Sequence, residues 1–264
     1  MFDTFWQPPP IDLPGDPGFG LFTPTHLVIL AVLAVVIAAI VVMYCRLGEV
    51  GRHRTRLIMG CTAMASSWIR AGGFLWWGVL GPESLPLWMC SMGIGAMFLD
   101  CLKPNSWTRE WTYAMTLWGA VCALTFSDWA DRPWFNIFSF QSFYVHVALI
   151  AYALMLLVSR ELVPNWKNLW KVAVVTAVVV PVAMLANHLF GTNFWFLNSG
   201  SPGSPLDPIL AVAGSFYIPV LIVAVAIVWA LLYLPWVLWA RRARRRVSRP
   251  VPQDGRTHSS SDGS

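Results

Sequence analysis

Cys90, in the segment LPLWMC, and His146, in FYVHVAL, are the residue types in this 264-residue chain with the most direct chemical use. A thiol becomes an effective nucleophile when a base or cation stands beside it, and an imidazole of ordinary pKa, about 6.5, fits that need. Cys90 lies about five residues inside one end of its apolar segment and His146 about five residues beyond Gln141 in the same half of its own, so packed segments would bring both to one cavity. Each also has a simpler account. Buried cysteine commonly packs as a small apolar residue, and a histidine between helices is commonly held by a carbonyl or hydroxyl.

Arg70, in SSWIRAGGFLWW, lies about ten residues from the end of its own apolar run, where a guanidinium costs about 2.5–3.5 kcal/mol to insert. Two readings stay open: an ion pair with Glu83, Asp128 or Asp131, or a clamp for an anionic group such as a lipid phosphate, which the planar fork suits. The segment ANHLFGTNFWFLNSGSPGSPLDP holds His188 and Asn193 among turn residues and reads as a loop lining a cavity mouth or as a plain connection. His26, in FTPTHL, falls at the same level. The five cysteines form no CxxC and no metal motif; neither metal nor cofactor is expected, and Cys90 and Cys122 are either bridged or two small core residues. Asp100 reads as an i, i+3 pair with Lys103 rather than a catalytic group.

The elements that position these groups are membrane spans. Hydrophobic residues make up 57% of the chain and charged residues 12%, which excludes an ordinary soluble domain. Apolar runs near the roughly 20 residues a crossing helix needs recur over 26–46, 57–80, 85–102, 111–127, 136–158, 169–190 and 209–239. The third and fourth are short and interrupted, so six spans is the alternative to seven. The fold expected is all-α, a polytopic integral membrane helical bundle of about seven transmembrane helices.

Of the 18 Lys and Arg residues, all but Arg70 and Arg132 fall on one side of these spans, from Arg46–Arg56, Lys103–Arg109 and Arg160–Lys171 to the RRARRR tail. That asymmetry predicts an N-terminus outside and a C-terminus in the cytosol. Residues 1–24 form an extracytoplasmic segment with Asp3, Asp12 and Asp16 and no cationic signal-peptide start; 25–240 form the transmembrane domain; 241–264 form a basic, disordered tail. The tail's charges suit anionic lipid headgroups at about 1 kcal/mol each, and no nucleic-acid partner is expected. Trp107, Trp111, Trp129, Trp134, Trp166, Trp170 and Trp195 fall near span ends, where indoles anchor in the headgroup layer.

In order, FTPTHL, LPLWMC, FYVHVAL and NHLFGTNFWFL resemble the YwaF-type bacterial integral membrane proteins, related to the animal transmembrane protein 164 family, over roughly residues 20–235. The most specific pieces are L-P-L-x-x-C at Leu85–Cys90 and N-x-x-x-G-T-N-F-x-F-L at Asn187–Leu197. The chain departs from the pattern with Trp88 before the cysteine and with Gly214-Ser215-Phe216 where a Gly-Pro-aromatic turn is expected. The resemblance implies a lipid acyltransferase in which Cys90 carries the acyl group and His146 is its partner. An outward cavity is closed to cytosolic coenzyme A thioesters, so the expected reaction is transacylation between membrane phospholipids or glycolipids. Arg70 would then hold phosphate and Asn193 the oxyanion, with His188 and His26 at the substrate mouth. The rival expectations are a transporter or receptor for a small anionic or lipid ligand, and a non-enzymatic envelope scaffold.

Overall fold

The helix Ile137–Val158 carries the bundle's core, because its small and aromatic residues are buried almost all round. The computed structural model describes residues 5–7, 18–201 and 203–247, with side chains to 242 in the last helix. Among these the α-helices, in chain order, are α1 (Pro24–Arg46), α2 (Glu49–Trp76), α3 (Met89–Leu102), α4 (Ser106–Trp111), α5 (Trp118–Thr125), α6 (Ile137–Val158), α7 (Leu169–Phe190), α8 (Leu206–Ala213) and α9 (Tyr217–Val247). No strand occurs among them. A π-helical stretch, Thr112–Leu117, joins α4 to α5 into one continuous rod.

Local chemistry sets the ends. Thr23 caps α1 by accepting the His26 N–H, with Pro24 at the first helical position. Asn105 and Asn136 cap α4 and α6 in the same way, and Gly191, at φ 67°, closes α7 in the left-handed region that glycine enters freely. Around α6 pack α1, α2, α3, α5 and the π stretch. Gly60 lets α2 approach α3, since a Cβ there would press on Cys101 and the Phe98 backbone. By contrast α1, α7 and α9 are apolar yet largely unburied, as lipid-facing helices are.

The two ends of the bundle are tied differently. At the end where α1 begins, here the upper end, Gly20 donates to the Ala130 carbonyl at 2.9 Å and Trp195 to the Leu87 carbonyl at 2.7 Å. At the lower end Glu161 gathers Arg56, Tyr44 and Ser159, while Glu110 accepts from Asn165, Asn168 and Tyr233. Asp100 belongs to this lower layer. It is fully buried and accepts from Thr108, Arg109 and Tyr152, so the expected pair with Lys103 is replaced by one with Arg109. The charge sits too deep for the exposed Lys103 to serve it.

Among the described residues five segments are long and apolar enough to cross a membrane: Pro24–Arg46, Pro82–Leu102, Ile137–Val158, Trp166–Phe190 and Leu206–Arg242. The expected spans 57–80 and 111–127 are helical but do not reach that standard. Ser66, Ser67, Arg70, Gly72 and Gly73 dilute the first, and Thr112, Tyr113, Thr116, Thr125 and Ser127 dilute the second. The tryptophans also divide. Trp107, Trp134, Trp166 and Trp170 are exposed as anchors would be, whereas Trp111 and Trp129 are buried and Trp195 lines a cavity. Asp3, Asp12, Asp16 and the tail from 248 onward, including Arg249 and Arg256, lie outside the described residues.

Candidate functional site

Cys90 occupies the second residue of α3, immediately inside a start whose N-cap, Trp88, offers no side-chain hydrogen bond. The first backbone bond of the helix runs from the Met92 N–H to the Trp88 carbonyl at 3.0 Å. The amides of Met89, Cys90 and Ser91 precede it and have no acceptor within the helix, so they favour negative charge beside the thiol. The indole of Trp88 donates to the Glu83 carbonyl at 2.9 Å, which fixes the approach of the LPLWMC segment.

His146 comes from the middle of α6 and is buried. Its Nε2 lies 3.0 Å from the Cys90 Sγ, and its Nδ1 lies 2.7 Å from the Ser142 carbonyl. A carbonyl only accepts, so Nδ1 carries the proton in the neutral ring and Nε2 is left to accept from the thiol. The imidazole also lies nearly parallel to the Trp129 indole, at 22° and 5.1 Å between centroids. Nucleophile, base and orienting group are thus in sequence, the arrangement that thiol catalysis requires.

Both residues line a cavity of about 1590 Å³. Arg70 lines it too, donating to the Gln141 Oε1 at 3.2 Å and lying over the Phe74 ring. Among the described residues the ion pairs are Arg52–Glu161, Arg56–Glu161 and Arg109–Asp100, so the expected bridge from Arg70 to Glu83, Asp128 or Asp131 is not formed. One neutral acceptor leaves most of a five-donor guanidinium for another partner. Those three carboxylates and Arg132 stand on the same cavity wall. Desolvation raises the Asp128 carboxyl above its ordinary pKa, and Arg132 and Arg70 pull it back.

The remaining expected site residues stand apart. His26 is fully buried; its Nδ1 accepts the Phe22 N–H and its Nε2 meets the Leu124 carbonyl at 3.0 Å, which ties α1 to the end of α5. Asn193 is spent inside its loop, accepting the Asn198 and Ser199 N–H groups and donating to Ser199. His188 is exposed on α7, and none of the three lines the cavity. The loop contributes Trp195 and Phe196, held at φ 61° and 53°, together with Leu197, Ser201, Ser204 and Pro205. Asn187, bonded to Thr192 and to both the N–H and carbonyl of Phe194, over-determines that strained turn. Cys90 and Cys122 both line the cavity and are free thiols, not a disulfide.

Sequence reasoning missed Trp129, assigned to the interface, and the roles of Gln141 and Ser142. The signal was their spacing: Ser142 is four residues, one helical turn, before His146. The TMEM164 family model matches residues 21–233, which takes in every residue just described as lining the site. The chain belongs to the TMEM164 family. No curated protein and no solved structure matches it. Membership carries the multi-helix membrane character, and the segments LPLWMC and FYVHVAL that meet at the cavity lie within the matched residues.

Proposed function

We propose that the protein is a membrane lipid transacylase that forms a Cys90 thioester. The observation that carries this reading is the Nε2–Sγ separation of 3.0 Å, with the opposite ring nitrogen engaged by the Ser142 carbonyl. His146 takes the Cys90 proton as the sulfur attacks the ester carbonyl of a donor phospholipid. The tetrahedral oxyanion faces the orphan amides at the start of α3, in place of the Asn193 amide. Collapse breaks the ester C–O bond, the proton passes from Nε2 to the departing lysolipid hydroxyl, and the acyl group stays on sulfur. An acceptor hydroxyl of a second phospholipid or glycolipid then gives its proton to His146, attacks the thioester and releases Cys90, which is reprotonated. No other reactant is consumed. Arg70 and Arg132 hold the phosphate.

The sorting of basic residues supports an arrangement of seven spans with the upper end outside, in the plasma membrane of a bacterium, and the YwaF-like motifs support the bacterial branch. In this reading the basic C-terminal residues rest on anionic headgroups, and residues 1–24, 25–240 and 241–264 divide the chain into outer segment, membrane domain and tail. No nucleic acid takes part. Purified protein given phospholipid labelled in its acyl chain is expected to carry a hydroxylamine-sensitive label that Cys90→Ala abolishes; a fully labelled alanine variant overturns the mechanism. Arg70, hydrogen-bonded to Gln141 but without an ion-pair partner among the described residues, favours a second reading, transport or reception of an anionic ligand, in which Arg70→Ala abolishes function and Cys90→Ser does not.

A further inference from the structure

The cavity is two-ended. Its charged residues, Arg70, Glu83, Asp128, Asp131 and Arg132, all lie near the upper end, and Cys90 with His146 stands below them. The wall continues past the nucleophile as apolar surface. Gly95, about one and a half turns below Cys90 on α3, lines the cavity, and a Cβ placed on it meets nothing within 4 Å. Gly93 on the same helix behaves in the opposite way, since its Cβ would press on Thr116 and Leu149. The cavity therefore reaches, as a lower arm, about one and a half turns below Cys90 along the Gly95 side of α3.

α9 faces the cavity with Ile218, Leu221, Ile222, Val225, Ala226 and Trp229, a single stripe at helical spacing that runs roughly 16 Å from the upper end past the level of Cys90 and down to Trp229. The stripe ends at Trp229, whose indole donates to the Ala114 carbonyl at 2.9 Å. Trp118 donates to the same carbonyl at 2.6 Å. Ala114 lies in the π stretch, and two indoles on one backbone oxygen hold both rings across the lower end of the arm. Neither ring turns away without leaving its N–H unpaired in apolar surroundings.

We propose that this lower arm is a binding slot for one fatty acyl chain and that Trp229 and Trp118, pinned to the Ala114 carbonyl, are its floor and set the longest chain accepted. The occupant follows from the order of the walls: a charged layer of two guanidiniums and three carboxylates, then the ester-reactive pair, then the apolar slot, the order of a zwitterionic phosphate headgroup, ester and hydrocarbon along a phospholipid. The inference rests on the transacylase reading for the meaning of the middle layer, and its test is separable from it.

The full-length protein and its Gly95→Leu, Ala226→Phe and Trp229→Ala variants are each purified and measured twice. Co-purifying phospholipids are profiled for chain length by mass spectrometry, and the Cys90 adduct is scored with short-, medium- and long-chain donor phospholipids. The two filling variants should turn both profiles toward shorter chains by about tenfold, the factor that two displaced methylenes confer, and Trp229→Ala toward longer ones. Filling comes from two different helices, so one misfolded variant leaves the other to report. An adduct whose chain-length preference is the same in both filling variants and the parent overturns the slot and leaves the acyl transfer standing. A shifted lipid profile with no adduct in any protein keeps the slot and overturns the transfer.

Discussion

His146 is placed by three contacts, and two of them make distinct predictions. Its Nε2 meets Cys90, its Nδ1 meets the Ser142 carbonyl and its face meets Trp129. His146→Gln removes the base and keeps a polar side chain, so Cys90 acylation should fall by about 10²–10⁴, the usual worth of general base catalysis. The time course of the labelled adduct measures it; labelling within a few-fold of the parent would remove His146 from the chemistry. Trp129 touches no reacting atom and positions the ring that does. Trp129→Leu should therefore lower kcat with KM little changed, and Trp129→Phe should restore most of it. Of these residues the sequence made Cys90 and His146 legible, because a thiol and an imidazole in the outer halves of two apolar segments are uncommon company. It did not make Trp129 legible, since an indole near a span end has the same pattern whether it faces lipid or a cavity. His26 and Asn193 show the converse: their types fit a site, but backbone groups within reach had already used their hydrogen bonds.

At the scale of elements, the close approach of α3 to the π stretch is the joint that carries Cys90. Gly93 fits there because it has no side chain, whereas Gly95, two residues on, faces open space. Gly93→Val should cost about 1–3 kcal/mol through overpacking and lower Tm. Gly95→Leu should leave Tm close to the parent's while filling the slot, so the pair separates stability from binding; equal losses of Tm would contradict the asymmetry. The aromatic turn is a second joint. Asn187→Ala leaves the buried Phe194 N–H without its acceptor, at about 1–3 kcal/mol, and frees Trp195 and Phe196 from their left-handed conformations. Limited proteolysis should then cut near residues 193–198, where the parent resists. The long apolar helices could be read from composition alone. The π stretch could not, because periodicity reports which faces are apolar and says nothing of an extra residue in one turn.

For the whole molecule the decisive quantity is which side of the membrane the cavity opens to, because it selects the acyl donor. Arg46, Arg52, Arg54 and Arg56 lie at the lower end of the bundle, while Arg70 and Arg132 line the upper cavity. If the lower end faces the cytosol, as short-loop basic residues do, soluble coenzyme A thioesters do not reach Cys90 and membrane phospholipid is the donor. In a variant whose native cysteines are replaced, Asp131→Cys should react with a membrane-impermeant maleimide in intact cells, and Arg54→Cys only after permeabilisation. Both positions are exposed, so failure to react would report sidedness rather than burial. The reverse pattern would invert the bundle and open the cavity to the cytosol. The same Cys90 and His146 would then be supplied by soluble thioesters, and added coenzyme A thioester, inert toward the right-side-out protein, would load the cysteine directly.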